Sequence, residues 1–214
     1  MPIKVIIADD HAVVRDGLKL ILENAGDINV IGEAEDGLAV VKKARELEPD
    51  VIIMDLSMPN MNGVEATNRI KIENPEIRIV ILSMRSCMED VVRVIKAGAI
   101  GYLLKESAGA EVVQAVRAAY AGRRYLSRKI DDLLIDMSLS AYNDAEIKSP
   151  LDKLSFRERE ILQMVAEGKT SQQIAHLLFL SIKTIETYRS RMMQKLGIKD
   201  IPALVKFALE ERII

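Results

Sequence analysis

The sequence predicts an α/β domain with a doubly wound parallel sheet, followed by a small all-α domain. In the first part of the chain, short apolar segments alternate five times with amphipathic segments of helical length. Continuously apolar strands that alternate with helices are typical of a parallel sheet covered on both faces. From Leu151 onward only helical patterns remain. We therefore predict an α/β domain over residues 1–126, a partly helical linker over 127–150 and an all-α domain over 151–214.

Five short apolar segments are the candidate strands. The first covers residues 3–8 and is followed by the pair Asp9-Asp10. The others cover residues 30–34, 51–54, 79–82 and 101–104. The amphipathic segments between and after them cover residues 12–25, 37–48, 63–74, 88–97 and 108–122. These lengths and spacings predict a five-stranded parallel sheet with five helices.

The C-terminal part of the chain carries the residues that begin and end helices. They are the capping-box pairs Ser155–Glu158 and Thr170–Gln173, the N-cap candidates Ser181 and Asp200, and the terminating glycines Gly168 and Gly197. These signals predict four short helices. In the linker, an apolar stripe at helical spacing comes before a polar stretch over residues 138–150. The stripe consists of Ile130, Leu133, Leu134 and Met137.

Composition and charge exclude several classes of protein. The chain has 214 residues and a net charge of −2, but residues 151–214 carry 11 Lys and Arg against 8 Asp and Glu. No apolar segment reaches the roughly 20 residues of a membrane span. The N-terminus lacks the pattern of a signal peptide. Cys87 is the only cysteine, so no internal disulfide can form. We expect a cytoplasmic protein that does not associate with membranes.

Polar side chains follow four of the five predicted strands. They are Asp9 and Asp10, Asp55, Ser83 and Lys105. The carboxyl ends of parallel strands meet at one edge of a sheet, where ligands bind, so we expect these groups to converge. A hard divalent cation relieves the repulsion among three carboxylates, and Mg²⁺ suits such a site. An aspartate nucleophile beside a metal and a lysine is the arrangement that phosphoryl transfer needs.

The motifs around this cluster are specific to one family. They are Asp9-Asp10, Asp55 with Met58-Pro59 and Gly63, Ser83, and the segment from Gly98 to Lys105. With them, residues 1 to about 122 resemble the receiver domains of bacterial two-component systems, which have a flavodoxin-like fold. The resemblance implies that Asp55 is the phospho-acceptor and that Lys105 pairs with the phosphoryl group. It also implies that Mg²⁺ is held by Asp9, Asp10, Asp55 and the backbone carbonyl of Ser57.

The same resemblance implies a conformational switch formed by Ser83 and Tyr102. In it, the Ser83 hydroxyl moves toward the new phosphoryl group, and Tyr102 rotates into the space that is vacated. Spacing alone favours a different interpretation of Tyr102, an ordinary half-buried tyrosine on an edge strand.

The segment from Thr170 to Leu196 has the proportions of a helix-turn-helix, whose second helix enters the major groove of DNA. On a helical projection of residues 182–196, an apolar stripe lies opposite a polar face, and the segment carries four Lys and Arg against one Glu. Short polar side chains suit base edges, and basic side chains suit phosphates. Arg189 lies near the apolar stripe, so its guanidinium must extend to a phosphate or a carboxylate.

Residues 151–214 resemble the DNA-binding domain of the NarL/FixJ (LuxR-type) regulators. The matching motifs are Leu154-Ser155, Arg157-Glu158, Glu160-Ile161-Leu162, the segment from Ala166 to Thr170, Ile174-Ala175, Leu180-Ser181, the segment from Lys183 to Tyr188, and Lys195-Leu196-Gly197. The resemblance implies base contacts from Lys183, Glu186, Thr187 and Ser190. It implies phosphate contacts from Thr184, Tyr188, Arg191 and Lys195.

Three residues depart from the pattern of that family. Tyr188 stands where histidine is common, Gln172 stands where asparagine is common, and Phe179 is bulky for its position in the turn. In the family, the last helix, residues 201–212 here, pairs two DNA-binding domains, although plain core packing explains its apolar residues equally well.

Together the two resemblances predict a response regulator. Its partners would be a sensor histidine kinase, promoter DNA and a second copy of the chain on activation, with RNA polymerase as a further candidate. It would accept a phosphoryl group without being a turnover enzyme. An alternative is a phospho-switch whose helical domain binds a protein, and steep salt dependence would favour DNA.

Other classes of site fit the sequence poorly. A haloacid-dehalogenase-type phosphatase needs Asp-Xaa-Asp after its first strand, and the sequence has adjacent aspartates there. The glycine motif of a dinucleotide-binding domain is absent. Two histidines and one cysteine do not make a zinc site. We interpret Cys87 as an incidental thiol rather than a redox sensor.

Overall fold

The computed structural model describes residues 1–132, 150–211 and 213. The chain divides into two compact units, Met1–Asp144 and Ala145–Ile214. Of the predicted linker over 127–150, residues 128–132 are helical. Leu133, Leu134 and Met137 of its apolar stripe, and the polar stretch up to residue 149, lie outside the described residues.

The N-terminal unit is built on a parallel sheet with the strand order β2-β1-β3-β4-β5-β6. The strands are β1 (Ile3–Ala8), β2 (Ile28–Ala34), β3 (Val51–Asp55), β4 (Arg78–Ser83), β5 (Gly101–Leu104) and β6 (Tyr125–Leu126). The helices are α1 (Ala12–Glu23), α2 (Gly37–Leu47), α3 (Gly63–Glu73), α4 (Met88–Lys96) and α5 (Ala108–Tyr120).

Within the described residues the sheet has six strands, so the prediction of five was wrong in this detail. β6 has only two residues and pairs in parallel with β5 through Gly101–Tyr125 and Tyr102–Leu126. A two-residue strand is too short to produce a pattern in the sequence. Its presence means that β5 is not an edge strand, contrary to the interpretation of Tyr102 that spacing alone favours.

Each face of the sheet supports its own hydrophobic core. Ile6, Ile52 and Ile79 point into one core, which also includes buried side chains of α2, α3 and α4. Val5 and Ile53 point into the other, which includes those of α1 and α5. Successive side chains of a strand point to opposite faces, so strands buried on both faces must be apolar throughout. The doubly wound fold is therefore confirmed.

The C-terminal unit is helical in its described residues. After a short 3₁₀ helix (Pro150–Lys153) come α6 (Phe156–Ala166), α7 (Ser171–Leu178), α8 (Ile182–Leu196) and α9 (Ile201–Glu210). The four predicted N-caps are confirmed. Both capping boxes form, and the side chains of Ser181 and Asp200 accept hydrogen bonds from the backbone of the third residue after them. Helix α7, a short turn and α8 make the helix-turn-helix.

None of the helices in the described part of the chain has the length and apolar character that crossing a bilayer requires.

Candidate functional site

The polar residues that follow the strands lie at the carboxyl ends of the strands, which we call the sheet edge. β3 is hydrogen-bonded to β1 and to β4, and β4 to β5. The register places Asp55 beside Leu82 and Ser83 beside Leu104. Asp9 and Lys105 each directly follow the last residue of their strand. The sequence therefore brings these side chains together through topology alone.

Lys105 bridges two buried aspartates at this edge. Its Nζ lies 2.7 Å from Oδ2 of Asp9 and 2.9 Å from Oδ2 of Asp55. The side chains of Asp9 and Asp55 are 0% and 5% exposed. Burial raises the pKa of Asp55, and Lys105 opposes that rise only in part. Burial disfavours the charged form of Lys105, but its hydrogen bonds to the two aspartates outweigh this and raise its pKa.

His11 is a member of this site that the sequence analysis missed. Its Nδ1 lies 2.8 Å from Oδ1 of Asp10 and 3.1 Å from Oδ1 of Asp9. The hydrogen bond to Asp9, together with the negative charges of Asp10 and Asp9, raises the pKa of His11. The signal was present, because His11 directly follows Asp9-Asp10 beyond the end of β1. Interpreted only as a potential zinc ligand, His11 does not enter the site that the sequence predicts.

The donor set fits a magnesium ion. One ligand atom from each of Asp9, Asp10, His11 and Asp55 lies within 4.8 Å of the others. Three carboxylates at such separations offer the oxygen ligands that Mg²⁺ prefers, and Mg²⁺ needs only a few of them because it keeps several waters. A bound cation would relieve their mutual repulsion and neutralise charge on a phosphoryl group.

The loop after β3 is held close to Asp55. The backbone N–H of Ser57, an exposed residue, is close enough to the Asp55 carboxylate to favour its ionised form. Gly63 begins α3 so close to the strand that a Cβ on it would lie 2.5 Å from the carbonyl oxygen of Asp55. Asn60, whose φ is +66°, donates from Nδ2 to Oδ2 of Asp36 at 2.5 Å. Packing beside Asp55 therefore requires glycine at position 63.

Ser83 and Tyr102 are connected through the loop after β4. The backbone N–H of Arg85 donates to Oγ of Ser83 at 3.0 Å. The hydroxyl of Tyr102 donates to the carbonyl oxygen of Arg85 at 2.8 Å. Tyr102 is fully buried, and this burial raises its pKa to about 12. Tyr102 is therefore fully buried on an internal strand. Spacing alone had favoured a half-buried tyrosine on an edge strand.

The predicted DNA-contacting residues lie along α8 in two groups. Lys183, Glu186, Thr187, Ser190 and Arg191 are exposed, whereas Thr184 and Tyr188 are half-buried. The buried side chains of the helix are Ile185 and Met192. A shallow concavity on this side of α8 is lined by Ser181, Lys183, Thr184, Thr187, Tyr188 and Arg191. Two positively charged and four hydroxyl-bearing side chains around this concavity suit a nucleic-acid backbone.

Two basic side chains of α8 have partners within the protein. Nζ of Lys195 lies 2.6 Å from Oε2 of Glu158, a buried residue that also accepts hydrogen bonds from Ser155. Burial opposes ionisation of Glu158, but the bonds from Lys195 and Ser155 prevail and lower its pKa. Arg189 donates to the hydroxyl of Ser171 at 2.6 Å. Among the described residues its partner is therefore a hydroxyl and not the carboxylate that the sequence suggested, while a contact with a phosphate stays a prediction.

Comparison with known proteins identifies both units. Residues 5–117 match the family model of the response regulator receiver domain. Residues 152–208 match the model of bacterial regulatory proteins of the luxR family. The chain is a response regulator. It belongs to the two-component family with a LuxR-type helix-turn-helix domain, as the motifs of the sequence predicted.

Similar proteins extend over the whole length of this response regulator. The oxygen regulatory protein NreC of Staphylococcus aureus is 40% identical over 214 residues, which cover 99% of each chain. The RcsB response regulator of Salmonella typhimurium gives a TM-score of 0.60 at 32% identity, covering 96% of this chain and 97% of that one. A complex of the response regulator RcsB with DNA gives 0.59 at 32% identity, covering 97% and 98%.

Proposed function

We propose that this response regulator accepts a phosphoryl group on Asp55 from a sensor histidine kinase in the presence of Mg²⁺. Phosphorylation then promotes homodimerisation and sequence-specific binding to promoter DNA, and so regulates transcription. The observation that carries the proposal is the contact of Lys105 with both Asp9 and Asp55 at the sheet edge. The family models and the full-length similarity to NreC and RcsB support the same assignment.

Each side chain at the sheet edge has a separate role in phosphoryl transfer. A carboxylate oxygen of Asp55 attacks phosphorus, and a P–O bond forms as the P–N bond to the histidine of the kinase breaks, with its electron pair returning to the imidazole. Lys105 lies where it can pair with an oxygen of the transferred group. Asp9, Asp10, Asp55 and the carbonyl of Ser57 would hold Mg²⁺. Because the reaction leaves the protein phosphorylated, it is not turnover catalysis.

The hydrogen bonds of the β4–α4 loop suggest how the phosphoryl group changes the surface. The Ser83 hydroxyl accepts from Arg85 and can donate to a phosphoryl oxygen, which would draw this loop toward Asp55. Arg85 is also bonded to Tyr102 through its carbonyl, so Tyr102 follows the loop. Two arrangements of this loop and of Tyr102 make a two-state element that a local charge biases.

The helix-turn-helix supplies the output. Lys183, Glu186, Thr187 and Ser190 would contact base edges, and Thr184, Tyr188 and Arg191 would contact phosphates. Lys195 was predicted as a further phosphate contact, and its ion pair with Glu158 makes it the weakest member of that group. We place this activity in the cytoplasm, with RNA polymerase as a candidate partner on the promoter.

Sedimentation of the full chain tests the proposal. Wild type, Asp55→Ala and a matched control, Glu46→Ala on the exposed side of α2, are compared with and without Mg²⁺ and beryllofluoride, a stable mimic of the aspartyl phosphate. Intact mass after incubation with acetyl phosphate reports phosphoryl uptake. We expect wild type and the control to gain the phosphoryl group and to shift from monomer to dimer, and Asp55→Ala to do neither. Uptake by Asp55→Ala at the wild-type level would overturn the assignment of the nucleophile.

A further inference from the structure

Phe179 occupies a position that glycine occupies elsewhere in the same domain. Helices α6, α7 and α8 are followed by Gly168, Phe179 and Gly197, with φ of +84°, +55° and +70°. At each end the N–H of this residue donates to the carbonyl three residues earlier, and the next N–H to the carbonyl five residues earlier. This is the Schellman pattern, in which the left-handed residue is usually glycine because it has no Cβ.

Two properties of Phe179 lower the stability of the domain in the absence of a partner. A bulky residue at positive φ is strained, since its Cβ crowds the backbone. The side chain is also 93% exposed, so it gains nothing from burial that would offset this strain. Ile182, the first residue of α8, is 46% exposed. A strained, exposed aromatic side chain is an outlier from which a functional hypothesis follows.

The position of this pair points to DNA as the partner. Phe179 is in the turn of the helix-turn-helix, two residues before Ser181, the N-cap of α8, and Ile182 lies between Ser181 and Lys183. The N-terminal residues of the second helix contact base edges in the major groove. The concavity lined by Ser181, Lys183 and Arg191 begins at the same end of the helix. In the chain the apolar pair is therefore directly adjacent to residues of the proposed DNA interface.

We propose that Phe179, together with Ile182, makes an apolar contact with DNA and determines specificity by packing on the C5-methyl group of a thymine. This methyl is the one hydrophobic group that base pairs present in the major groove, and aromatic or small apolar side chains recognise it. The inference rests on the proposed DNA-binding function. It adds to that function an apolar determinant at the end of α8, beside the polar and basic side chains along the helix.

Replacement of Phe179 by glycine separates a binding role from a structural one. In Phe179→Gly the strain at positive φ disappears, so we expect the melting temperature of the full chain to stay the same or to rise. We expect affinity for DNA selected from a random library by the wild-type protein to fall on the order of tenfold. Phe179→Tyr keeps the ring and should bind within about twofold of wild type. Ile72→Ala, which removes an exposed apolar side chain of α3, is the matched control with unchanged binding.

Substitution of the selected DNA identifies the methyl group. Each thymine of the site is replaced by deoxyuridine in turn, which removes only the methyl. We expect one such change to weaken wild-type binding several-fold and to have no further effect on Phe179→Gly, as for two groups in contact. Equal losses in both proteins at every thymine would overturn the assignment, and so would wild-type affinity in Phe179→Gly. A fall in its melting temperature would show instead that Phe179 stabilises the domain.

The outcome also distinguishes this inference from the proposed function. Should the wild-type chain select no DNA, with or without beryllofluoride, the DNA-binding proposal fails. Should it select DNA that Phe179→Gly binds equally well, only the role of Phe179 fails.

Discussion

The edge of the sheet and the outer face of α8 were predicted from the same kind of signal, but the structure constrains them very differently. At the edge, Asp9 and Asp55 are buried, and Lys105 bridges the two. Along α8, most of the residues predicted to contact DNA are exposed. Several of them form hydrogen bonds within the protein instead. The hydroxyl of Thr187, for example, donates to the carbonyl of Lys183 in its own helix.

This difference separates a site whose geometry is fixed within the chain from a site whose contacts form only with a partner. Buried charges are stable only when they are paired. The positions of Asp9, Asp55 and Lys105 are therefore fixed by one another, and this limits the ligands that the site can bind. An exposed helix face is stable with many side-chain arrangements, and its contacts are completed by the partner. The chemistry of the edge therefore follows from its geometry, whereas the roles along α8 depend on the DNA.

Removal of Lys105 should give the largest effect on stability. In Lys105→Ala two buried carboxylates lose their shared cation, and we expect the free energy of unfolding of the N-terminal unit to fall by about 3 kcal/mol at neutral pH. Saturating Mg²⁺ should restore part of this loss. Urea denaturation with and without Mg²⁺ measures both effects.

Lys129→Ala is the matched control, because its ion pair with Glu106 is exposed on both sides. Its loss should stay below about 1 kcal/mol. Equal losses in the two variants would mean that the sheet edge is no more constrained than an ordinary surface ion pair.

Removal of the Tyr102 hydroxyl should have a smaller effect on the same region. In Tyr102→Phe the ring still fills its buried space, but the carbonyl of Arg85 loses its donor, at a cost of about 1 kcal/mol. Tyr125→Phe provides the comparison, since its hydroxyl lies 3.5 Å from Gln114 in an exposed pair. Thermal melting of both variants tests the prediction. If Tyr125→Phe lost more stability than Tyr102→Phe, the bond to Arg85 would not be what holds Tyr102 in place.

The sequence predicted the fold and the sheet edge well, because both depend on patterns that repeat along the chain. Five apolar strands and the residues that follow them define the edge through topology alone. The two residues of β6 give no recognisable pattern, because a pattern needs more than two positions. His11 was missed because a histidine offers several roles, and only the proximity of Asp9 and Asp10 selects among them. The ion pair of Lys195 joins residues far apart in the sequence, which helical periodicity within α8 cannot show.

The smallest predicted effect tests whether the ammonium of Lys195 stays paired with Glu158 or contacts a DNA phosphate. Because Glu158 has a lowered pKa in the folded chain, its ionised form stabilises the domain above its ordinary pKa of 4.5, and this contribution is lost as pH falls through the lowered value. Lys195 is itself 43% exposed, and Glu158 keeps its hydrogen bonds from Ser155, so Lys195→Ala should lose only about 1 kcal/mol or less at neutral pH. The difference from wild type should shrink below pH 4.5. Lys183→Ala should instead leave stability unchanged and weaken DNA binding. Chemical denaturation across pH, together with DNA binding across salt concentrations, separates the two lysines. A decrease of about one in the salt slope for Lys195→Ala, the amount expected of a phosphate contact, would show that its ammonium leaves Glu158 for the DNA backbone.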